Sequence, residues 1–216
     1  MAVITVSRQL GSHGARIARA LAGELGYDLV DKGVINRVIR QYGLTRLDKV
    51  YDHKPKVWEL FNENSVTTIE MMNQTIAAVA ARGNVVIVGR GGFRVLAGMA
   101  DVLNVFVKAP EDVRAARIAK RDGITVEEAA KVIKDDDDLR ARFTRLFYSA
   151  DWADESQFDL VVDTGTDSDD VAKAKIKEAI EVLPARGART AATIHVDEVL
   201  ADTVAKALAR RTARAS

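Results

Sequence analysis

Cysteine is absent from the 216 residues, which excludes disulfides, thiolate-held metals and cysteine nucleophiles. No apolar run approaches the roughly 20 residues that a membrane-crossing helix needs. The opening Met1-Ala2-Val3-Ile4-Thr5-Val6-Ser7 lacks the basic n-region and small-residue cleavage site of a secretory signal and reads directly as a strand. A cytoplasmic address is therefore expected, with no membrane partner. An excess of one charge is missing as well: 32 Lys and Arg stand against 31 Asp and Glu, a formal +1. That balance argues against a protein that coats nucleic acid. His53 and His195 have no partners at metal-ligand spacing, so no protein-held metal is expected. What is present is ordinary for a globular domain with a sizeable core, 48% hydrophobic and 29% charged.

Strand and helix signals alternate along the chain. Val3–Val6 is a short β-rich run, followed by Gly11 and Gly14 and then a helical pattern with Ile17, Leu21 and Leu25 on one face, closed by Gly26. Asp28–Val30, Val85–Val88, Val102–Val107 and Phe158–Val162 read as further strands. The continuous apolar character of Val85–Val88 suits a parallel strand covered on both faces. Helical patterns run from about 44 to 82, 111 to 122, 126 to 147 and 171 to 183. This alternation predicts a three-layer α/β/α domain over residues 1–184, with a five-stranded parallel sheet and right-handed crossovers. Residues 185–193 have linker composition, and 196–211 form a last amphipathic helix that packs on the domain or on a second subunit of a homodimer.

Four segments bear charge where chemistry would need it. Ser7 to Arg16 joins a buried strand to a helix start, and there Gly11, Ser12, His13, Gly14 and Ala15 present backbone amides to which a phosphate can come close. The same glycines also suit a purely structural turn. Against the G-x-x-x-x-G-K-[ST] pattern, Gly14 replaces the lysine and Ala15 the metal-binding hydroxyl. Arg16 or Arg8 would have to return the positive charge. Asp31 to Arg37 follows the second strand and faces the same crevice, because ligands of parallel sheets bind beyond the carboxyl ends of the strands. Gly89-Arg90-Gly91-Gly92 sets an arginine between glycines at the end of the third strand, suited to a bidentate phosphate contact. Arg114, Arg117 and Arg121 share one helix face, followed by Asp137, Asp138, Arg140, Arg142 and Arg145. An arginine-bearing lid is what phosphoryl transfer needs, though a charged helical hairpin is also an ordinary solvated face.

In their order and spacing, these segments resemble the cytidylate-kinase-like branch of P-loop nucleoside monophosphate kinases over roughly residues 3–182. Ile4 to Leu25 is similar to that family's first strand, glycine loop and helix; Asp31-x-Gly33-x-x-x-Arg37 and Gly89-Arg90-Gly91 are similar to its mononucleotide-binding segments; Trp152 with Phe158 to Thr164 is similar to its closing strand. The resemblance implies ATP-dependent phosphorylation of a nucleoside monophosphate, CMP or dCMP, with ATP and Mg²⁺ as cofactors. Gly11, Ser12, His13, Gly14, Ala15 and Arg16 would hold the donor, with Arg16 as lysine substitute. Asp31, Arg37 and Arg90 would bind the acceptor. Arg117, Arg121 and Arg140 would close over the transferred group, oriented by Asp137. The mononucleotide-binding helices would span about 44–82 and the lid about 112–150. The sequence departs from cytidylate kinases at Lys32 for serine, Val88 for an acidic residue and Gly91 for a base-reading aspartate. A nucleotide-binding pseudokinase with a regulatory role is thus the alternative. RNA binding through the tail arginines Arg186, Arg189, Arg210, Arg211 and Arg214 is a third reading.

Overall fold

Five aliphatic strands pair in parallel in the order β2-β3-β1-β4-β5. The computed structural model describes residues 2–43, 63–183 and 189–215, and excludes the side chains of 63–65 and 210–215. In chain order the elements are β1 (Val3–Arg8), α1 (Gly14–Leu25), β2 (Asp28–Val30), α2 (Lys32–Gln41), α3 (Glu63–Ala81), β3 (Val85–Val88), α4 (Gly92–Val95), β4 (Val102–Lys108), α5 (Glu111–Asp122), α6 (Val126–Tyr148), β5 (Leu160–Asp163), α7 (Asp169–Glu181) and α8 (Glu198–Ala215).

Alternate residues of each strand feed opposite layers. On one side Val3, Val85, Ile87 and Val102 pack with residues of α2, α3 and α8; on the other Ile4, Val6, Val86 and Val105 pack with α1 and α7. β1 is central and paired on both edges, with Ser7 and Arg8 opposite Phe106 and Val107. Its carboxyl end therefore lies deep in the crevice. The polar Asn104 is tolerated in β4 because its groups are satisfied: Thr5 Oγ1 donates to its Oδ1 at 2.7 Å, and its backbone N–H donates to Asp159 Oδ2 at 2.8 Å.

The expected last strand, Phe158–Val162, is displaced to Leu160–Asp163. Phe158 instead ends a short 3₁₀ turn and stacks between Phe93 and Phe106, at 4.8 and 4.9 Å. Of the polar helical stretch expected from about 44, α3 accounts for the end; Trp58, Leu60 and Phe61 lie outside the described residues, as do Arg186 and the side chains of Arg210, Arg211 and Arg214. The last helix packs on the domain: Leu200, Val204, Ala207 and Leu208 are buried in the core shared with α2 and α3. Among the described residues no helix is long and apolar enough to cross a membrane.

Candidate active site

The loop between β1 and α1 is built by partners that approach it from behind. Arg117 donates to Gly11 O at 3.2 Å and to Thr164 Oγ1 and O at 3.0 and 2.7 Å, while Thr164 Oγ1 donates to Ser12 O at 2.8 Å. Arg114 donates to Ala109 O at 3.1 Å and to Leu10 O at 3.5 Å. Gly11 has φ +83°, and a Cβ there would stand 2.9 Å from Arg114 O. The peptide unit is planar and trans, so fixing the Leu10 and Ser12 carbonyls toward α5 and β5 turns the N–H groups of Gly11 and His13 the opposite way. No side chain caps the first turn of α1, and its N-cap residue, His13, is left-handed at φ 62°. A loop with its carbonyls held at the back and a helix start behind it favours an anion in front.

A cleft of about 150 Å³ lies at the carboxyl ends of β1, β2 and β3, bordered by Ser7 and Arg8, which lead into the loop. Its cations are Arg8, Lys32, Arg90 and Arg140, and its walls include Phe93, Phe143 and Trp152. Arg90 is buried and held at φ 58°, a left-handed conformation that costs an ordinary side chain about 1 kcal/mol. Gly91 follows at φ +73° with the ring of Tyr148 against its α-carbon, where any Cβ would collide with it. Tyr148 Oη in turn donates to Asn73 Oδ1 at 2.7 Å. Position 91 is therefore closed to a side chain and covered by an aromatic ring.

The other expected site residues are distributed as follows. Arg140 reaches the cleft with its guanidinium paired to Asp136, Nε to Oδ2 2.6 Å. Asp137 turns the other way and pairs with the buried Arg114 at 2.9 Å, its carboxyl pushed up by burial and pulled back by that arginine. Arg121 is exposed and paired with its neighbour Asp122 at 2.6 Å, away from the cleft. Asp31 caps α2, accepting from the N–H groups of Gly33 and Val34 at 2.9 and 3.2 Å. Arg37 does not line the cleft; it donates to Ala207 O on α8 at 3.4 Å. Arg16 does not line the cleft; it is paired with Asp169 at 2.7 Å and donates to His13 Nδ1 at 2.9 Å. It borders a wide second depression of about 550 Å³ with His13, Arg117, Ser168 and Lys173. An imidazole that accepts from Arg16 is neutral at Nδ1, and burial, Arg117 and Arg16 all hold the His13 pKa below its ordinary 6.5.

Among the charged residues of the cleft, Lys32 and Asp136 were not assigned by the motif reading, and Arg8 was offered there only as an alternative to Arg16. Asp136 was legible as the i,i+4 partner of Arg140. Among the described residues no three His, Asp or Glu side chains are grouped to hold a metal ion. Ala15 and Val88, where a hydroxyl and a carboxylate would serve that purpose, cannot supply one.

The 2-3-1-4-5 parallel sheet and the loop between β1 and α1 define a kinase fold of the P-loop kind. Solved structures agree: an uncharacterized protein from Eubacterium ventriosum superposes with a TM-score of 0.68 at 20% identity, covering 84% of this chain and 99% of its own. Shikimate kinase from Bacteroides thetaiotaomicron does so at 0.50 and 18% identity, over 84% and 99%. Residues 3–166 match the cytidylate kinase-like family, and the chain belongs to it. Cytidylate kinase of Pyrococcus furiosus is 37% identical over 187 residues, covering 84% of this chain and 89% of the relative; that of Ignicoccus hospitalis is 35% identical over 168 residues, covering 76% and 90%.

Proposed function

We propose that this protein transfers the γ-phosphoryl group of ATP to a nucleoside monophosphate, with CMP or dCMP as the acceptor, in the cytoplasm. The observation that carries the reading is the convergence of Arg8, Lys32 and Arg90, from the ends of three adjacent strands, on one cleft beside the glycine loop. Phosphoryl transfer needs little covalent help from the protein; positioning and neutralisation of the phosphate oxygens supply most of the acceleration. In this reading the N–H groups of Gly11 and His13 and the start of α1 receive the donor phosphates. Arg90 and Lys32 hold the acceptor phosphate in line, while Arg140, released from Asp136, closes from α6. The acceptor phosphate is already anionic, so no residue is assigned as general base. In this reading magnesium arrives as the counter-ion of the nucleotide, as no three His, Asp or Glu side chains are grouped for it among the described residues.

The test is purified protein with magnesium ATP and, separately, CMP, dCMP, UMP, AMP and GMP, with ADP release followed by a coupled assay. Release above the acceptor-free rate, greatest with CMP or dCMP, is expected; no release with any acceptor contradicts the reading. A second reading is favoured by Gly14 and Ala15, which leave the loop without lysine or hydroxyl: a nucleotide-binding protein with a regulatory role. Nucleotide binding without ADP release would select it.

A further inference from the structure

Gly14 stands where the P-loop pattern has lysine, and the structure shows why no side chain begins there. A Cβ on Gly14 would lie 2.5 Å from the Cβ of Arg8 and 3.1 Å from both its Cγ and the Cβ of Val107. The stem of Arg8 thus takes the space from which a lysine at position 14 would start. The head of the same arginine passes over Gly89, where a Cβ would collide with its Nη1. Gly89 has φ +71°, so its conformation also favours glycine. Arg8 leaves β1 at its carboxyl end, directly before the loop, and lines the cleft with Lys32 and Arg90. Two glycines distant in sequence therefore clear a path for one arginine, from stem to guanidinium.

We propose that Arg8 is the cation that contacts the donor phosphates, replacing the missing lysine from the opposite end of the loop, with Gly14 and Gly89 as the clearance it requires. Arginine suits the task because its fork of donors engages two phosphate oxygens at once. In the transfer, the bond between the γ-phosphorus and the β,γ-bridging oxygen breaks and one forms to an acceptor phosphate oxygen. Arg8 moves no proton; it neutralises the charge that builds on the departing diphosphate. The assignment rests on the kinase reading above, but its test does not depend on turnover.

Calorimetric titration of ADP and of inorganic tripolyphosphate into wild type, Arg8→Lys, Arg8→Met, Gly14→Lys and the double variant Arg8→Gly/Gly14→Lys provides that test, with thermal unfolding as a check on folding. Losing one charged phosphate contact should weaken both ligands about 10-fold or more in Arg8→Met, while Arg8→Lys keeps part of the affinity. Gly14→Lys alone should bind poorly because its Cβ meets Arg8. The double variant should recover, since the charge returns, the clash with Arg8 is gone and the remaining 3.1 Å approach to the Val107 Cβ asks only for a shift of a few tenths of an ångström. Recovery identifies the charge, because a merely structural role for Arg8 would not be rescued from position 14. Equal affinities in wild type and Arg8→Met overturn the assignment and leave the kinase reading standing. Arg8-dependent binding without ADP release in the acceptor assay upholds the assignment and retires the kinase reading. A wild-type protein that binds neither ligand overturns both.

Discussion

Arg114 and Arg117 reach the glycine loop from α5; Arg8 and Arg90 reach the cleft in front of it from the ends of β1 and β3. The first pair is committed to carbonyl oxygens, to Thr164 and to Asp137. The second pair lines the cleft. The same side chain is thus set in two environments, and the difference lies in what surrounds it. Arginines set against loop carbonyls fix the backbone, whereas those set against glycines are the ones proposed to meet a ligand. Replacements on the two sides should accordingly separate, activity falling on one and stability on the other.

The largest expected effect is on the cleft side. Arg90→Ala should lower kcat/KM by about 100-fold or more, the scale of losing one charged donor at a transferring phosphate, with the unfolding midpoint little changed. A loss of activity below a few-fold in the coupled assay would place Arg90 with the structural set. Next comes Arg117→Met, which removes three hydrogen bonds joining α5, the loop and Thr164. About 2 kcal/mol of stability should go, read from urea unfolding, along with looser ADP binding. Unchanged stability would break the contrast.

His13 lies at the boundary between the two sets. Its left-handed backbone implies that His13→Gly stabilises the protein by about 1 kcal/mol. Its pKa is depressed in the folded state, so the unfolded chain takes up the proton first. Stability should therefore fall as pH drops through about 6.5, where the free imidazole titrates, and keep falling until the folded pKa is reached. His13→Gly should flatten that limb of the pH–stability curve; an unaltered limb assigns it to other groups. The smallest effect belongs to Arg121→Ala. With its guanidinium on Asp122 and in solvent, it should leave the melting temperature unchanged and activity within about two-fold of wild type.

The layers were legible because Val85–Val88 is apolar throughout, Val3–Val6 is broken only by Thr5, and both alternate with amphipathic helices. Periodicity alone specifies such a sheet. The place of Arg90 at the cleft was legible for a local reason, an arginine between glycines at a strand end. The arginines of α5 were not, although their spacing correctly places them on one face. Spacing says nothing about where the loop carbonyls lie along that face. These sit beside Arg114 and Arg117, and Arg121 is one further turn away, about 6 Å along the axis. Arg16 and Arg8 show the same limit. Both are close in sequence to the missing lysine, but Arg16 pairs with Asp169 and does not line the cleft, and the turn of the loop brings Arg8 against Gly14. Contacts made by the chain folding back on itself carry no local sequence signal. Arg37 was expected at the acceptor, but α8, which the family match does not include, brings the Ala207 carbonyl to it.

The convergence of strand-end cations on one anion-holding cleft is tested most directly by titrating CMP into wild type and Arg90→Ala by calorimetry, both checked for folding. Saturable binding by wild type, weakened about 10-fold or more in Arg90→Ala, is the expected result. Equal affinity in the two proteins, or no binding to the wild type, would contradict it.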